Sequence, residues 1–250
     1  MSGHSHWSKI KRYKAVTDAK RGRVWSKLAR RIIVAAKAGG GNPDENLSLR
    51  YAIDEAKSAN MPNDTIDKAI KKGTGELGAI NYEHIMYEGY GPAGVAFMVD
   101  CLTDNRSRTA PEMRNIFERV GGQLAGANSV AWMFEHKGTF SILASKISED
   151  ALMEAALDAG ADDVTLHDDT FEVVCHSAKF GAIKKTFADK KIPVEAAEIT
   201  MLPKTTVPVG EDKARQVLNL MEILEDHDDV QNVYANFDIP DSVMAEVNKQ

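Results

Sequence analysis

Residues 211–237 have the sequence EDKARQVLNLMEILEDHDDVQNVYANF, which contains a helix and a strand but no sheet for them to pack on. Apolar residues at helical spacing predict a helix over 211–226, and a mostly apolar run predicts a strand over 230–237. The apolar face of the helix comprises Ala214, Val217, Leu218, Met221 and Leu224. Because residues 203–250 are too few to enclose these faces, we expect both elements to dock onto a sheet formed earlier in the chain.

The sheet that can receive them is predicted between residues 79 and 136. Strands are predicted over 82–90, 94–102 and 129–134. A helix between them is predicted to start with a capping box. In it, the Thr109 hydroxyl accepts a hydrogen bond from a backbone N–H of the first turn, and the Glu112 side chain accepts one from the backbone N–H of Thr109. Three strands and one helix leave one side of this layer open. We therefore predict a discontinuous α+β middle domain made of residues 79–136 plus 208–240.

Residues 137–207 have a separate rhythm of elements. The pattern predicts strands over 139–144, 163–167, 170–175 and 194–201, with helices after Ser148 and over 178–190. This order, β-α-β-β-α-β, is typical of the ferredoxin-like fold. The fold class is therefore α+β, with an N-terminal helical domain and two α/β-sandwich domains, one inserted in the other.

The N-terminal domain is predicted to span residues 1–78 and to be helical. Helices are predicted over 17–38, 45–58 and from Asn63 or Asp64 to Gly73. At about 100° per residue, Lys20, Arg23, Lys27, Arg30 and Arg31 share one arc of the first helix. A neighbouring arc holds apolar residues such as Leu28 and Ile32. The pattern thus predicts a core-facing stripe beside an exposed basic one.

Charge is distributed very unevenly along the chain. Residues 1–37 carry eleven basic and one acidic side chains, whereas the whole chain has a net charge of −6. A run of charged residues usually forms a solvent-exposed helix face. This run, however, lacks interleaved acidic residues that could neutralise its positive charge. We therefore predict a nucleic-acid partner, DNA or ribosomal RNA, and expect the acidic remainder of the chain to face away from it. The predicted contacts are Lys9, Lys11, Arg12, Lys14, Lys20, Arg21, Arg23, Lys27, Arg30 and Arg31.

Three further residues are possible secondary contacts. Trp7 lies among basic residues and could stack on bases, or it could anchor the helical domain as a core residue. Arg106 and Arg108 lie in the loop 103–109 between a strand and a helix. They could hold phosphate there, or they could be surface arginines beside a helix cap.

Other classes of function find little support in the sequence. No metalloprotease HExxH, nucleophile elbow or phosphate-binding loop occurs, so we predict no catalytic residue, no metal site and no cofactor. No apolar run is long enough for a membrane span, and the N-terminus does not resemble a signal peptide. Cys101 and Cys175 lie in apolar runs and are expected to be reduced core residues, which favours the cytoplasm. The oligomeric state is not specified, with a monomer favoured.

Six segments carry a resemblance to a known family. They are GHSHWSKIK (3–11), DAKRGRVWSKLAR (18–30), NMPNDTIDKAIKKGTG (60–75), YEGYGPAGVA (87–96), LTDNRSRT (102–109) and SVAWMFEHKG (129–138). Together they resemble the YebC/PmpR family, which includes the mitochondrial translational activator of cytochrome c oxidase. His6 is a departure, since the family usually has lysine there, and any contact at this position becomes pH-dependent.

The resemblance implies a three-domain α+β protein without cofactor or catalytic residues. It also implies two alternative functions, because bacterial members are generally described as DNA-binding transcriptional regulators, whereas the mitochondrial relative acts at the ribosome. Some bacterial relatives are described as easing the translation of proline-rich stretches. The leading expectation is a non-enzymatic, DNA-binding regulator of transcription, and the alternative is a ribosome-associated translation factor that uses the same basic helix.

Overall fold

The computed structural model describes residues 18–78, 80–240 and 243, with side chains described from residue 22 onward in the first helix. The first part consists of three helices, α1 (Asp18–Gly39), α2 (Leu47–Ser58) and α3 (Asn63–Gly73). The elements that follow are β1 (Glu83–Tyr90), β2 (Ala96–Thr103), α4 (Arg106–Arg119), β3 (Gln123–Ala125), β4 (Phe134–Leu143), α5 (Glu149–Asp158), β5 (Asp163–His167), β6 (Thr170–His176), α6 (Phe180–Asp189), β7 (Ala196–Pro203), β8 (Val207–Pro208), α7 (Glu211–Asp226), β9 (Val230–Ala235) and β10 (Phe237–Asp238).

Polar and apolar contacts together fix the three N-terminal helices. The Asn46 side chain caps α2 by accepting from Leu49 N at 3.1 Å, and its amide donates to the Ala35 carbonyl of α1 at 2.8 Å. At the end of α3, a Cβ on Gly73 would lie 2.6 Å from the Ile33 carbonyl oxygen, so glycine is needed for this close approach. The shared core is built around Ile32, Leu49, Ala56 and Ile66.

The predicted docking of the C-terminal helix and strand is confirmed. The middle sheet has the order β3-β1-β2-β9, and β9 pairs antiparallel with β2 in the register Val99↔Val233. Helix α7 buries Val217, Leu220 and Met221 in the same core as Phe97 of β2 and Phe117 of α4. A single apolar core therefore joins residues that are more than 100 positions apart in the sequence.

Three local predictions in the middle domain are wrong. Helix α4 begins at Arg106, with Asn105 as its N-cap, instead of at a capping box on Thr109. Residues 129–133 form no strand, because the buried Glu88 carboxylate accepts hydrogen bonds from the backbone of Asn128, Val130 and Ala131 instead. The segment 202–210, for which the sequence predicts neither helix nor strand, contains β8, which pairs in parallel with β10.

Residues Trp132–Lys204 form a compact unit of their own. Its sheet has the order β5-β6-β4-β7, so the first and third strands of the unit are central, and every pairing is antiparallel. Helices α5 and α6 cover one face of this sheet, around Phe140, Val173, Leu152 and Phe187. The predicted ferredoxin-like order of elements is therefore confirmed.

The remaining residues, Met1–Ala131 and Thr205–Gln250, form the other compact unit, which contains both the N-terminal helices and the middle sheet. Division of the chain into three domains at 78, 136 and 207 stays a prediction. Both cysteines are buried and free, as expected. Within residues 18–78 and 80–240, none of the helices has both the length and the apolar character that crossing a membrane requires.

Truncation after Lys204 is expected to remove α7 and β9 and to expose the core faces of β2 and α4. The fragment 1–204 should aggregate or bind a hydrophobic dye, because burial of apolar area is the dominant stabilising term. Light scattering and dye fluorescence measure this outcome. As the matched control, replacing 132–204 by a short flexible linker should leave a cooperative thermal transition, and a monomeric, cooperatively folded 1–204 fragment would contradict the docking.

Candidate nucleic-acid interface

The basic arc of α1 lies against the end of α7 and the start of β9. Arg23 Nη1 is 2.7 Å from Asp226 Oδ2, and both side chains are 44% exposed. Two helical turns further on, Arg30 Nη2 is 3.3 Å from Asp229 Oδ1, and here the exposed fractions fall to 17% and 1%. The pairing thus changes from a surface ion pair to a buried one along the helix.

Two other members of the arc contact the same region. Lys27 Nζ donates to the backbone carbonyl of Glu225, at the C-terminal end of α7, where carbonyl groups attract cations. Arg31 donates to Gln231 and Asn232 of β9, each at 3.2 Å. Within the described part of the arc, the expected exposed basic face therefore holds only for Arg23, since Lys27, Arg30 and Arg31 are partly buried. We call Arg23, Lys27, Arg30 and Arg31 the docked cations, and residues 225–229 the acidic turn.

Asp229 is the centre of this interface. Its Oδ2 accepts from Arg108 Nη2 at 2.6 Å and from the Thr109 hydroxyl at 2.7 Å, while Arg30 approaches Oδ1. The Asp229 backbone carbonyl also accepts from Leu102 N at 2.8 Å. The buried residue Asp229 thereby connects α1 and the first turn of α4 through its carboxylate and the end of β2 through its backbone carbonyl.

The environment of Asp229 shifts its pKa in two opposing directions. Burial raises the pKa of this carboxyl group, but the hydrogen bonds from Thr109 and Arg108 and the positive charge of Arg30 outweigh burial. The net result is a pKa below its ordinary value of 3.8. Asp229 is therefore ionised at neutral pH although it is almost completely buried.

A second chain of contacts surrounds His227. Its Nδ1 accepts from Asp229 N at 3.1 Å, which leaves the proton on Nε2, 3.1 Å from Glu112 Oε2. Glu112, His227 and Asp229 lie close enough together to suggest a metal site. However, Asp229 is already held by two guanidinium groups, and the His227 lone pair is used within the turn. The group therefore stabilises the fold and does not fit a cation.

The remaining predicted contacts divide into two groups. Trp7, Lys9, Lys11, Arg12 and Lys14 lie outside the described residues, and the side chains of Lys20 and Arg21 do too. Arg106 is exposed in the first turn of α4, whereas Arg108 is held by Asp229 and by Asp104 at 3.3 Å. The structure thus brings the docked cations and Arg108 together around the acidic turn, and it leaves Arg106 apart.

The acidic turn itself was missed as part of the site. Its sequence, Glu225-Asp226-His227-Asp228-Asp229, has four acids in five residues, and this could have been matched to the basic arc by charge alone. What the sequence lacked was any indication that the arc and the turn, roughly 200 residues apart, face each other.

Replacing Asp229 by Asn is expected to lower the free energy of unfolding by about 3 to 5 kcal/mol at neutral pH, because it leaves Arg30 and Arg108 without their buried counter-charge. Since the folded-state pKa of Asp229 is depressed, its stabilisation is present above the ordinary carboxyl pKa and is lost as pH falls through the folded-state value. Chemical denaturation of both proteins between neutral and acid pH measures this difference.

Asp228→Asn is the matched control, since Asp228 is exposed in the same turn. It should change stability by no more than about 0.5 kcal/mol. A difference between wild type and Asp229→Asn that stays constant from neutral pH down to about pH 2 would contradict the ionised state assigned to Asp229.

Two family models together match most of the chain. The model described as "TACO1/YebC protein N-terminal domain" matches residues 5–76, and the one described as "TACO1/YebC second and third domain" matches residues 82–237. The boundary between them falls in the segment between α3 and β1.

Curated relatives and a solved structure are similar over nearly the whole length. A "probable transcriptional regulatory protein" of Syntrophobacter fumaroxidans is 55% identical over 98% of each chain. One of the same description from Geobacter sulfurreducens is 51% identical over 96% of each chain. The crystal structure of a conserved hypothetical protein from Aquifex aeolicus is 44% identical, with a TM-score of 0.83 over 94% of this chain and 98% of that one.

Proposed function

Because this chain belongs to the TACO1/YebC family, we propose that it is a non-enzymatic, nucleic-acid-binding regulator of gene expression. The names of its relatives, which are about half identical over almost their entire length, support a regulatory role. Buried, unpaired thiols are consistent with action in a reducing compartment such as the cytoplasm.

The observation that carries the proposal is the charge of residues 1–37. This segment has a net charge of +10, and the rest of the chain has 20 basic and 36 acidic side chains. Such a segment attracts a polyanion over a distance set by the Debye length, and each phosphate contact releases counterions. Phosphate contacts of this kind give affinity without sequence specificity.

The acidic turn competes with phosphate groups for the docked cations. Four of the eleven basic residues already contact the acidic turn or β9. We call Lys9, Lys11, Arg12 and Lys14 the leading cations, and we propose that they make the first contacts with the phosphates of the nucleic acid. Arg23 is half-exposed in an ion pair at the edge of the interface, so it is the docked cation that a phosphate group can most easily recruit.

DNA is the leading partner in this proposal, because the relatives are named as transcriptional regulators. The alternative is ribosomal RNA in a ribosome-associated translation factor. The observation that favours it is that both sides of α1 are already in contact with other parts of the protein. The apolar side packs on α2 and α3, and the basic side contacts the acidic turn. Between residues 27 and 36 no side chain of α1 is classed as exposed, so this part of the helix is not free to enter a major groove and read bases. Sedimentation of a cell lysate discriminates the two, since a translation factor travels with ribosomes.

Replacing all four leading cations by Gln is expected to weaken binding to a DNA duplex and to ribosomal RNA. The slope of log affinity against log salt should fall by about 3 to 4 for duplex DNA, because each phosphate contact contributes about 0.9. The control variant replaces Lys57, Lys68, Lys71 and Lys72 by Gln, which changes the net charge by the same amount. These four lysines lie exposed on α2 and α3. Equal slopes for the two variants would overturn the proposed role of the leading cations.

Competition by the acidic turn is tested by Asp226→Asn. Removing this carboxylate frees Arg23, so nucleic-acid affinity should rise about two- to fivefold, which corresponds to the usual free energy of a surface ion pair. Asp228→Asn changes the net charge by the same amount two residues away and should have a smaller effect. Equal effects on the dissociation constant in fluorescence anisotropy would show that only net charge matters.

A further inference from the structure

Helix α6 and the residues that flank it, in the unit Trp132–Lys204, carry a second concentration of positive charge. Residues 179–191 have the sequence KFGAIKKTFADKK, with five lysines and one aspartate. The rest of the unit has three basic and twelve acidic side chains, so the charge split resembles that of the N-terminal segment. All five lysines are exposed, while Ile183 and Phe187 hold the helix to the sheet.

Four of these lysines differ in their contacts from Lys137 and Lys204 of the same unit. Lys137 pairs with Asp162 at 2.8 Å, and Lys204 lies 3.5 Å from Glu135. In contrast, Lys179, Lys185, Lys190 and Lys191 have no ion-pair partner within residues 132–204, although that unit has thirteen acids. Repulsion among these four lysines is thus not offset by ion pairs inside the unit, and a polyanion would offset it.

The neighbouring helix limits where such a polyanion can lie. Helix α5 carries Glu149, Asp150, Glu154 and Asp158 and no basic residue, so it repels phosphate. The basic residues therefore lie apart from α5, with Lys184 and Lys185 in α6, Lys179 at its N-cap, and Lys190 and Lys191 in its C-terminal turn. We call residues 179–191 the α6 ridge. Over the ten residues of α6, a helix spans about 15 Å, a length over which duplex DNA presents roughly nine phosphate charges.

Chemistry favours a nucleic-acid backbone over an anionic membrane as the partner. Surface-lying membrane helices combine basic residues with large apolar side chains that enter the lipid. The other exposed residues of α6 are Gly181, Ala182, Ala188 and Asp189, none of which can anchor in lipid. Lysines are flexible point charges without a fixed hydrogen-bonding plane, so they suit phosphate contacts that are independent of base sequence.

We propose that the α6 ridge, residues 179–191, is a second binding surface for the phosphate backbone of nucleic acid. This deepens the proposed function and rests on it: the protein contacts one long nucleic acid through two separate cationic surfaces, the leading cations and the α6 ridge. Joining two weak contacts in one chain raises the affinity for long ligands far more than for short ones.

The test replaces Lys179, Lys185 and Lys190 by Gln in the full-length protein. With a duplex of about 40 base pairs, the salt slope should fall by about 2 to 3 and affinity near 0.1 M salt should fall about 10- to 100-fold. Lys68→Gln, Lys71→Gln and Lys72→Gln together are the matched control, with the same change in charge on α3. The melting temperature of each variant shows that the fold is kept, since all six side chains are exposed.

The outcomes separate this proposal from the proposed function. If replacing the leading cations weakens binding but the α6 variant binds like its control, the ridge is a solvated helix face and the inference is overturned. If the α6 variant weakens binding and the leading-cation variant does not, the ridge stands and the N-terminal site fails. Binding of the ridge to phosphatidylserine vesicles, with unchanged affinity for the duplex, would also overturn the inference.

Discussion

The carboxylate of Asp229 is the interaction on which the arrangement of this unit depends. It is almost completely buried and ionised, and it is held by Arg30 of α1 and by Arg108 and Thr109 of α4. A buried charge is tolerated only when its partners are in place, because its desolvation is expensive. The two segments that supply those partners, α1 and α4, must therefore both be in place in the folded state in which β9 pairs with β2.

This requirement links the basic arc to the stability of the fold. Arg30 is needed inside the protein, whereas Arg23 pairs at the surface with half of its side chain exposed. The same helix thus carries one cation whose buried ion pair stabilises the fold and another whose surface ion pair can be replaced by a contact with phosphate. A model in which every basic residue of α1 serves a nucleic-acid partner ignores the charge that the acidic turn already requires.

The family comparison and the geometry support each other at different levels. Similarity over nearly the whole chain establishes the family and the α+β fold. The charges of individual side chains decide what each surface can bind, and these follow from the residues and their contacts. In the inserted unit, acidic residues are concentrated on α5 and basic residues in 179–191. This unit therefore has an uneven charge distribution of its own, in addition to that of the N-terminal segment.

The pattern of apolar residues was sufficient for much of the fold. The spacing of Val217, Leu218, Met221 and Leu224 required a partner surface, and the open side of the middle sheet was the available one, so the docking of α7 and β9 could be predicted. Capping and loop chemistry was not predictable in the same way. Thr109 bonds to Asp229, and Glu88 bonds to the backbone of 128–131, through contacts that span 40 to 120 positions.

The sequence by itself determined which segments are helical, which faces are apolar, where positive charge accumulates and to which family the chain is similar. Helical character and apolar faces depend on neighbours within about one or two turns, so they can be read locally. Only the tertiary structure decided that the docked cations face the acidic turn. The partners of a charge are set by which surfaces the apolar core brings together, and a one-dimensional pattern of charges does not contain that information.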